Sequence, residues 1–246
     1  MNRLKQLQEE LRKLADIKRA QGSLRFFKTA KGQYGAGDKF IGVNNAGMRK
    51  IAKRFYGLPF PDLAKLLKSE IHEERQTPLF ILVKQYAGAN NKNKKKLVEF
   101  YLKNAKQINN WDLVDLSCHY ILGDYLLHNC PPSKGGAGEV CKPRQILYRL
   151  AGSKNLWEKR IAIISTYAFI RNKEFSHTLK IAEILLHDEH DLIHKAVGWM
   201  LREAGKRDQT VLEQFLNKHY KIMPRTMLRY AIEKLSEGKR KYYLKK

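Results

Sequence analysis

The hydrophobic residues of this chain recur at intervals of three and four along nearly its whole length, and alternation with a period of two is almost absent. In FPDLAKLLKSE, Leu63, Leu66 and Leu67 fall on one face of a helix, and in NLWEKRIAIISTYAFI, Ile161 and Ile164 share a face in the same way. The pattern therefore predicts an all-α protein.

The residues between these segments are typical of helix ends. Pro61 lies near a predicted first turn, Gly88 follows an apolar helix, and Asn155 stands three residues before Glu158, as in a variant of the capping box. The later helices are joined by loops of only a few residues, which makes sequential helices antiparallel neighbours. Helix pairs recur at roughly the spacing of HEAT or armadillo units. We therefore expect one helical-repeat domain over residues 1–246, an α-solenoid of HEAT-like antiparallel helix pairs with a concave basic face.

Two glycine-rich stretches, near residues 31–47 and 130–145, interrupt the helical pattern and are expected to be loops. The first contains Gly35, Gly37 and Asp38 but follows no strand and lacks the GK[ST] ending of a phosphate-binding loop, so it is interpreted as a connector. The insertion around Gly135 to Gly138 is expected to be a surface loop.

The charge of the chain favours a polyanionic partner. Its 48 Lys and Arg against 24 Asp and Glu give a formal net charge of +24 and a pI near 9.9. Solubility alone is usually served by a charge of about 2 to 8 on a small domain, so the excess indicates a nucleic acid. Because basic residues extend from Lys5 to Lys246 and do not concentrate on one amphipathic helix, an anionic membrane surface is the weaker alternative.

Location and cofactors follow from simpler features. No apolar run approaches the roughly 18 residues of a membrane helix, and the amino-terminal segment is a charged amphipathic helix rather than a signal peptide, so we expect a cytoplasmic protein. Cys118, Cys130 and Cys141 are odd in number and lack CxxC spacing, and we interpret them as reduced thiols. No metal site and no cofactor are expected. HDLIH (residues 190–194) imitates a zinc motif, but Asp191 is better explained as a helix cap.

The segment NNWDLVDLS contains an aspartate that the helix itself does not explain. Asn109 or Asn110 can cap this helix, and Asp112 in its first turn suits the helix dipole. Asp115 lies beyond that turn, one helical step from Trp111 and among apolar residues, where a buried charge needs a partner. It is either a salt-bridge partner of a neighbouring helix or a functional carboxylate beside an aromatic wall.

A second tryptophan, in KAVGWMLREAGKR, lies off the predicted core stripe. Trp199 is rotated away from that stripe, with Arg202 on its own side. Gly198 costs the helix about 1 kcal/mol relative to alanine, so we expect a close approach by another group at this position. Two such tryptophans with an aspartate and nearby arginines in a basic helical protein point to a site.

These segments together resemble a known family. NNWDLVDLS, YILGDYLL, NLWEKRIAI, DLIHKAVGWMLREAGKRD and MPRTMLRYAIEKL are similar to segments of the AlkD-like family of bacterial DNA alkylation repair glycosylases, which are built from HEAT-like repeats. The resemblance extends from RFFKTAKGQYGAGDKFIGV to the carboxyl end. It implies a monomer that excises positively charged N3- and N7-alkylated purines from double-stranded DNA, without flipping the base into a pocket and without a cofactor. Binding to DNA would place the protein at the nucleoid.

By motif position, the resemblance implies that Asp115 is the catalytic aspartate and that Trp111 and Trp199 lie next to the lesion. It implies that Arg160 contacts the DNA backbone, with Arg202 as a further candidate. The chain departs from the family at GVNNAGMRKIAK, where Ala46 and Gly47 replace a Pro and an Asp, and at Pro78, which falls inside a predicted helix. These departures bear on amino-terminal DNA contacts and not on Asp115.

Two other functions remain open from the residues alone. One is a catalytically silent relative that binds branched or damaged DNA, and the other is a helical-repeat scaffold for an acidic protein.

Overall fold

The structure, a computed structural model, describes residues 2–130 and 141–245. Helices dominate these residues, which contain no β-strand beyond a lone bridge between Lys39 and Ile71, and the predicted all-α class is confirmed. None of the described helices is both long and apolar enough to cross a membrane. The insertion around Gly135 to Gly138, and most of the second glycine-rich stretch, lie outside the described residues.

The chain divides into two compact units, Met1–Ser117 and Cys118–Lys246, each taken by itself below. The first unit contains α1 (Arg3–Lys13), α2 (Ile17–Phe26), α3 (Asn45–Arg54), α4 (Phe60–Leu67), α5 (His72–Ala87), α6 (Asn91–Lys103) and α7 (Trp111–Asp115). The second contains α8 (Asp124–His128), α9 (Gln145–Ala151), α10 (Leu156–Ser165), α11 (Tyr167–Arg171), α12 (Ser176–Ile184), α13 (Asp191–Gly205), α14 (Gln209–His219), α15 (Arg225–Ala231) and α16 (Glu237–Leu244). Short 3₁₀ helices cover Ala105–Gln107 and Lys142–Arg144, and a π-helical turn covers His119–Gly123. A single domain over residues 1–246 stays a prediction.

Helix α5 is the buried centre of the first unit. The helix continues through Pro78, and Gly88 is its C-cap, as the sequence predicts. Its first turn is polar yet buried, because those side chains hold the loop before α3. The Glu73 carboxylate accepts hydrogen bonds from the backbone N–H of Gly42 at 2.7 Å and of Ile41 at 3.1 Å. Gly42 has a φ of +81°, and a Cβ there would collide with the backbone of Asp16, so the loop passes close to α2 only because this residue is glycine.

In the second unit, α10 has the N-cap that the sequence predicts, and α13 packs closely against another helix at Gly198. Asn155 caps α10 as predicted, accepting from the backbone N–H groups of Trp157 at 2.9 Å and Glu158 at 3.1 Å. In α13, a Cβ on Gly198 would stand 2.5 Å from the carbonyl oxygen of Met227 in α15. The close approach expected at this glycine is therefore helix-to-helix packing.

Two sequence interpretations are wrong in the second unit. Cys130 and Cys141 form a disulfide bond with their Cα atoms 6.5 Å apart, and Cys118 is a buried thiol outside that bond. Counting cysteines missed this pair because an odd total does not prevent two of the three from meeting in space. The N-cap of α13 is His190 rather than Asp191, which instead pairs with Lys195 at 2.7 Å.

Candidate functional site

Helix α7 is a single short segment that carries two of the predicted site residues. Asn110 is its N-cap and is fully buried, with its side-chain oxygen accepting from the backbone N–H of Trp111 at 2.8 Å. Asp112 occupies the first turn and accepts from the backbone N–H of Leu113 at 2.9 Å. Trp111 and Asp115 are the first and last residues of this helix, so one turn separates them. Both are half-buried, and both line one cleft.

The cleft has a volume of about 480 Å³ and an aromatic wall. The Trp111 indole stacks on the Phe27 ring, with centroids 5.5 Å apart and planes at 23°, and meets the Phe26 ring edge-on at 5.7 Å. The Phe26 side chain at the rim is 64% exposed. The Asp115 carboxylate therefore belongs to a cleft that offers aromatic faces to a ligand.

A buried polar network lies behind this wall. Both ring nitrogens of His72 contact carboxylates, Nε2 to Asp112 at 2.8 Å and Nδ1 to Asp38 at 3.2 Å. Asp38 also accepts from Arg75 at 2.7 Å and from Asn110 at 3.1 Å. Burial works to lower the pKa of His72, but its hydrogen bonds to Asp112 and Asp38 outweigh burial and raise that pKa above its usual value. Burial works to raise the pKa of Asp38, and the contacts with His72 and Arg75 lower it instead.

Three carboxylates and two basic side chains, Arg49 and His72, line the cleft. Asp112, Asp115 and Glu73 are its carboxylates, while Arg49 places its guanidinium 4.2 Å from the centre of the Phe80 ring. Aromatic faces and carboxylates together favour a cationic ligand, because both attract positive charge.

Trp199 lies in the second unit, on α13, and is half-buried, in line with its predicted position off the core stripe. Its ring is 6.3 Å from that of Tyr167, and the Arg207 guanidinium lies 5.6 Å from the centre of the same tyrosine ring. An aromatic cluster beside an arginine is suited to a nucleic-acid surface.

The two arginines expected to contact DNA are both engaged by protein groups. Arg160 is 5% exposed and donates from Nη1 to the carbonyl oxygen of Leu192 at 2.6 Å. Arg202 is paired with Glu233 and lies 3.9 Å from Glu203. The predicted phosphate contacts of both residues stay predictions, and burial of Arg160 adds a structural role to the one expected.

A family model described as DNA alkylation repair enzyme matches residues 7–235. The chain belongs to this family. The membership supports a role in DNA alkylation repair and agrees with the resemblance to the AlkD-like group. None of the curated proteins compared with the chain is similar enough to count as a match.

A solved structure supports the same fold. It is described as a predicted DNA alkylation repair enzyme from Enterococcus faecalis, and it matches with a TM-score of 0.66 over 91% of this chain and 97% of that chain. The sequence identity is 14%, so the similarity concerns the fold. The predicted all-α helical-repeat architecture is thereby confirmed.

Sequence reasoning did not find the residues that complete the cleft in this family member. Phe40 comes from the stretch interpreted as a connector, Phe26 and Phe27 come from the end of α2 just before it, and His72 comes from the start of α5. The available signal was the crowding of aromatic residues around a glycine-rich loop, which is unusual for a solvated connector. Among the described residues, no group of three or more His, Cys, Asp or Glu side chains is arranged to hold a metal ion.

Proposed function

We propose that this family member is a DNA glycosylase that excises cationic N3- and N7-alkylated purines from double-stranded DNA. The observation that carries the proposal is the placement of Asp115 and Trp111 on one short helix, lining an aromatic, carboxylate-bearing cleft. The net charge of +24 supports a DNA substrate, since lysines and arginines replace the counterions of the phosphates. We propose that it acts as a monomer, with the damaged base left in the helical stack.

The chemistry needs little from the protein beyond electrostatic stabilisation. Alkylation at N7 or N3 gives the purine a positive charge. When the bond between C1′ and the purine nitrogen breaks, its electron pair neutralises that charge, so no general acid is required. The sugar is left as an oxocarbenium-like cation, which water attacks at C1′ with loss of a proton to give an abasic site.

In this proposal, Asp115 is the catalytic residue, because its carboxylate opposes the positive charge that develops on the sugar. Trp111 presents its ring face to the cationic lesion or its sugar, and Trp199 is proposed to do the same. Arg160 and Arg202 are proposed to hold the DNA backbone, which sets register without reading sequence.

The experiment is release of 7-methylguanine and 3-methyladenine from methylated duplex DNA, measured by mass spectrometry under single-turnover conditions. Asp115→Asn retains the shape of the side chain and removes its charge, so the rate should fall by about 100-fold or more, while affinity for undamaged duplex holds or rises. The matched control is Asp62→Asn, which removes a charge from the first turn of α4, outside the cleft.

The results separate the three functions. A folded Asp115→Asn protein that works at the wild-type rate would contradict the catalytic assignment. Tight, salt-dependent DNA binding without base release by the wild-type protein would favour the catalytically silent relative. Absence of DNA binding altogether would favour the scaffold for an acidic protein.

A further inference from the structure

His72 is held between two carboxylates at the amino end of α5, with only 2% of its surface exposed. A neutral imidazole carries one N–H group and one lone pair, so it can donate to only one carboxylate and would turn its lone pair toward the other. Asp112 and Asp38 contact different ring nitrogens. When both carboxylates are ionised, the geometry is satisfied on both sides only by the doubly protonated imidazolium.

The charges around His72 agree with this protonation state. The groups that face it are Asp112 from α7, Asp38 from the loop before α3, and Arg75 from its own helix. Two carboxylates and one guanidinium leave one negative charge, which an imidazolium balances. The raised pKa of His72 points the same way. The remaining neighbours in ring contact are the uncharged Phe27 and Phe40.

The same contacts fix both the cap and the first turn of α7. Asp38 accepts from Asn110, the N-cap residue, and His72 donates to Asp112 in the first turn. A helix of five residues has little stability of its own, so its position depends on such tertiary contacts. Trp111 and Asp115, at the two ends of this helix, therefore take their places from the network.

The imidazole ring also supports the aromatic wall directly. It lies 4.7 Å from the Phe40 ring at 23° and 4.8 Å from the Phe27 ring at 36°. Phe27 in turn stacks on Trp111. A cation in this stack is attracted by the neighbouring ring faces, which ties the loop rings to the tryptophan.

We propose that His72, as an imidazolium bridging Asp38 and Asp112, is the positioning residue that holds the Trp111–Asp115 helix and its aromatic wall in the geometry required for excision. The requirement for this geometry in excision rests on the proposed function. The effect of His72 on the position of the Trp111–Asp115 helix concerns the protein alone and is tested without any substrate.

The first experiment is NMR of the full chain labelled with ¹⁵N, near pH 7.5, above the usual pKa of histidine of about 6.5. We expect both ring nitrogens of His72 to be protonated. We also expect His72→Gln to shift the signal of the Trp111 indole N–H, which donates a hydrogen bond to the Tyr34 hydroxyl. A neutral His72 ring would overturn the proposal. An unchanged Trp111 signal in a folded His72→Gln protein would overturn it as well.

The second experiment measures excision rates. His72→Gln leaves one carboxylate without its donor, so the single-turnover rate should fall by about 10-fold or more, with affinity for undamaged duplex changed by less than about 2-fold. The double variant His72→Gln with Asp112→Asn rebuilds a neutral chain of donors and acceptors and should recover most of the lost rate. His128→Gln, which alters an exposed histidine on α8, is the matched control.

The pH dependence of the excision rate distinguishes a positioning role of His72 from a role in folding alone. The wild-type rate should fall as pH rises through the pKa of His72, and the double variant should lack that fall. A wild-type rate in His72→Gln, or a folded double variant that recovers nothing, would overturn the proposal. A wild-type protein without glycosylase activity would contradict the proposed function, while the NMR result would still decide whether His72 holds Trp111.

Discussion

The indole nitrogen of Trp111 donates a hydrogen bond to the hydroxyl of Tyr34, 3.2 Å away and 77 residues earlier in the chain. The bond occupies the polar edge of the indole and leaves ring faces for stacking. The Phe27 ring stacks on the indole, and Trp111 as a whole remains half-buried. The tryptophan is therefore fixed in orientation without being enclosed in the core.

This arrangement predicts that tryptophan substitutions separate function from stability. Trp111→Ala and Trp199→Ala should slow excision while lowering stability much less than Trp157→Ala, since Trp157 is 7% exposed and a buried tryptophan contributes about 3 to 5 kcal/mol. Chemical denaturation and single-turnover excision of 7-methylguanine measure the two effects. Unfolding of both site variants would assign those tryptophans to structure.

Arg160 is expected to act on both DNA affinity and stability. Arg160→Ala should reduce the slope of log affinity against log salt by about one if a phosphate contact is lost. It should also lower the free energy of unfolding by about 1 to 3 kcal/mol, because the carbonyl of Leu192 loses a charged donor. Fluorescence anisotropy over a salt series and urea denaturation check these outcomes. An unchanged slope in the folded variant would leave Arg160 a structural role only, and Arg202→Ala serves as the more exposed comparison.

Gly198 should not tolerate a methyl group. Alanine favours a helix by about 1 kcal/mol over glycine, but a Cβ here would stand 2.5 Å from both the Met227 carbonyl oxygen and the Tyr230 Cβ. Overpacking of this kind costs about 1 to 3 kcal/mol, so Gly198→Ala should destabilise the protein. Gly22→Ala is the matched control, because Gly22 lies within α2 with nothing within 4 Å of the added carbon, and it should stabilise. Thermal melts that move in the same direction for both variants would contradict the packing argument.

His177 should make the protein less stable in acid. Burial and the charges of Arg144 and Lys180 lower the pKa of His177 to about 4, whereas a histidine in the unfolded chain titrates near its ordinary pKa of about 6.5. Between these two values the unfolded state binds more protons than the folded state, so stability falls as pH falls through that window. His177→Gln should flatten this part of the melting-temperature profile. A profile that is unchanged in the variant would show that another group is responsible.

Several local features of the fold were predictable from sequence, as at the Asn155 cap, the Gly88 helix end and the off-stripe position of Trp199, although the cap of α13 was placed one residue too late. These features depend on spacing within one helix. The cleft was only half predictable, because Trp111 and Asp115 belong to one segment whereas Phe27 and His72 reach them from distant parts of the chain. Contacts between separate segments of the chain do not appear in the periodicity of the sequence. The Cys130–Cys141 bond was not predicted for the same reason.

That disulfide has a consequence for how the intact chain is recognised in the laboratory. Lys134 lies between the bonded cysteines, so tryptic cleavage after it would yield two polypeptides, residues 1–134 and 135–246, that remain covalently joined. Without a reducing agent they would migrate on a denaturing gel close to the uncut chain, and with one they would separate into two bands. A preparation nicked at this point would therefore pass for full-length protein until it is reduced.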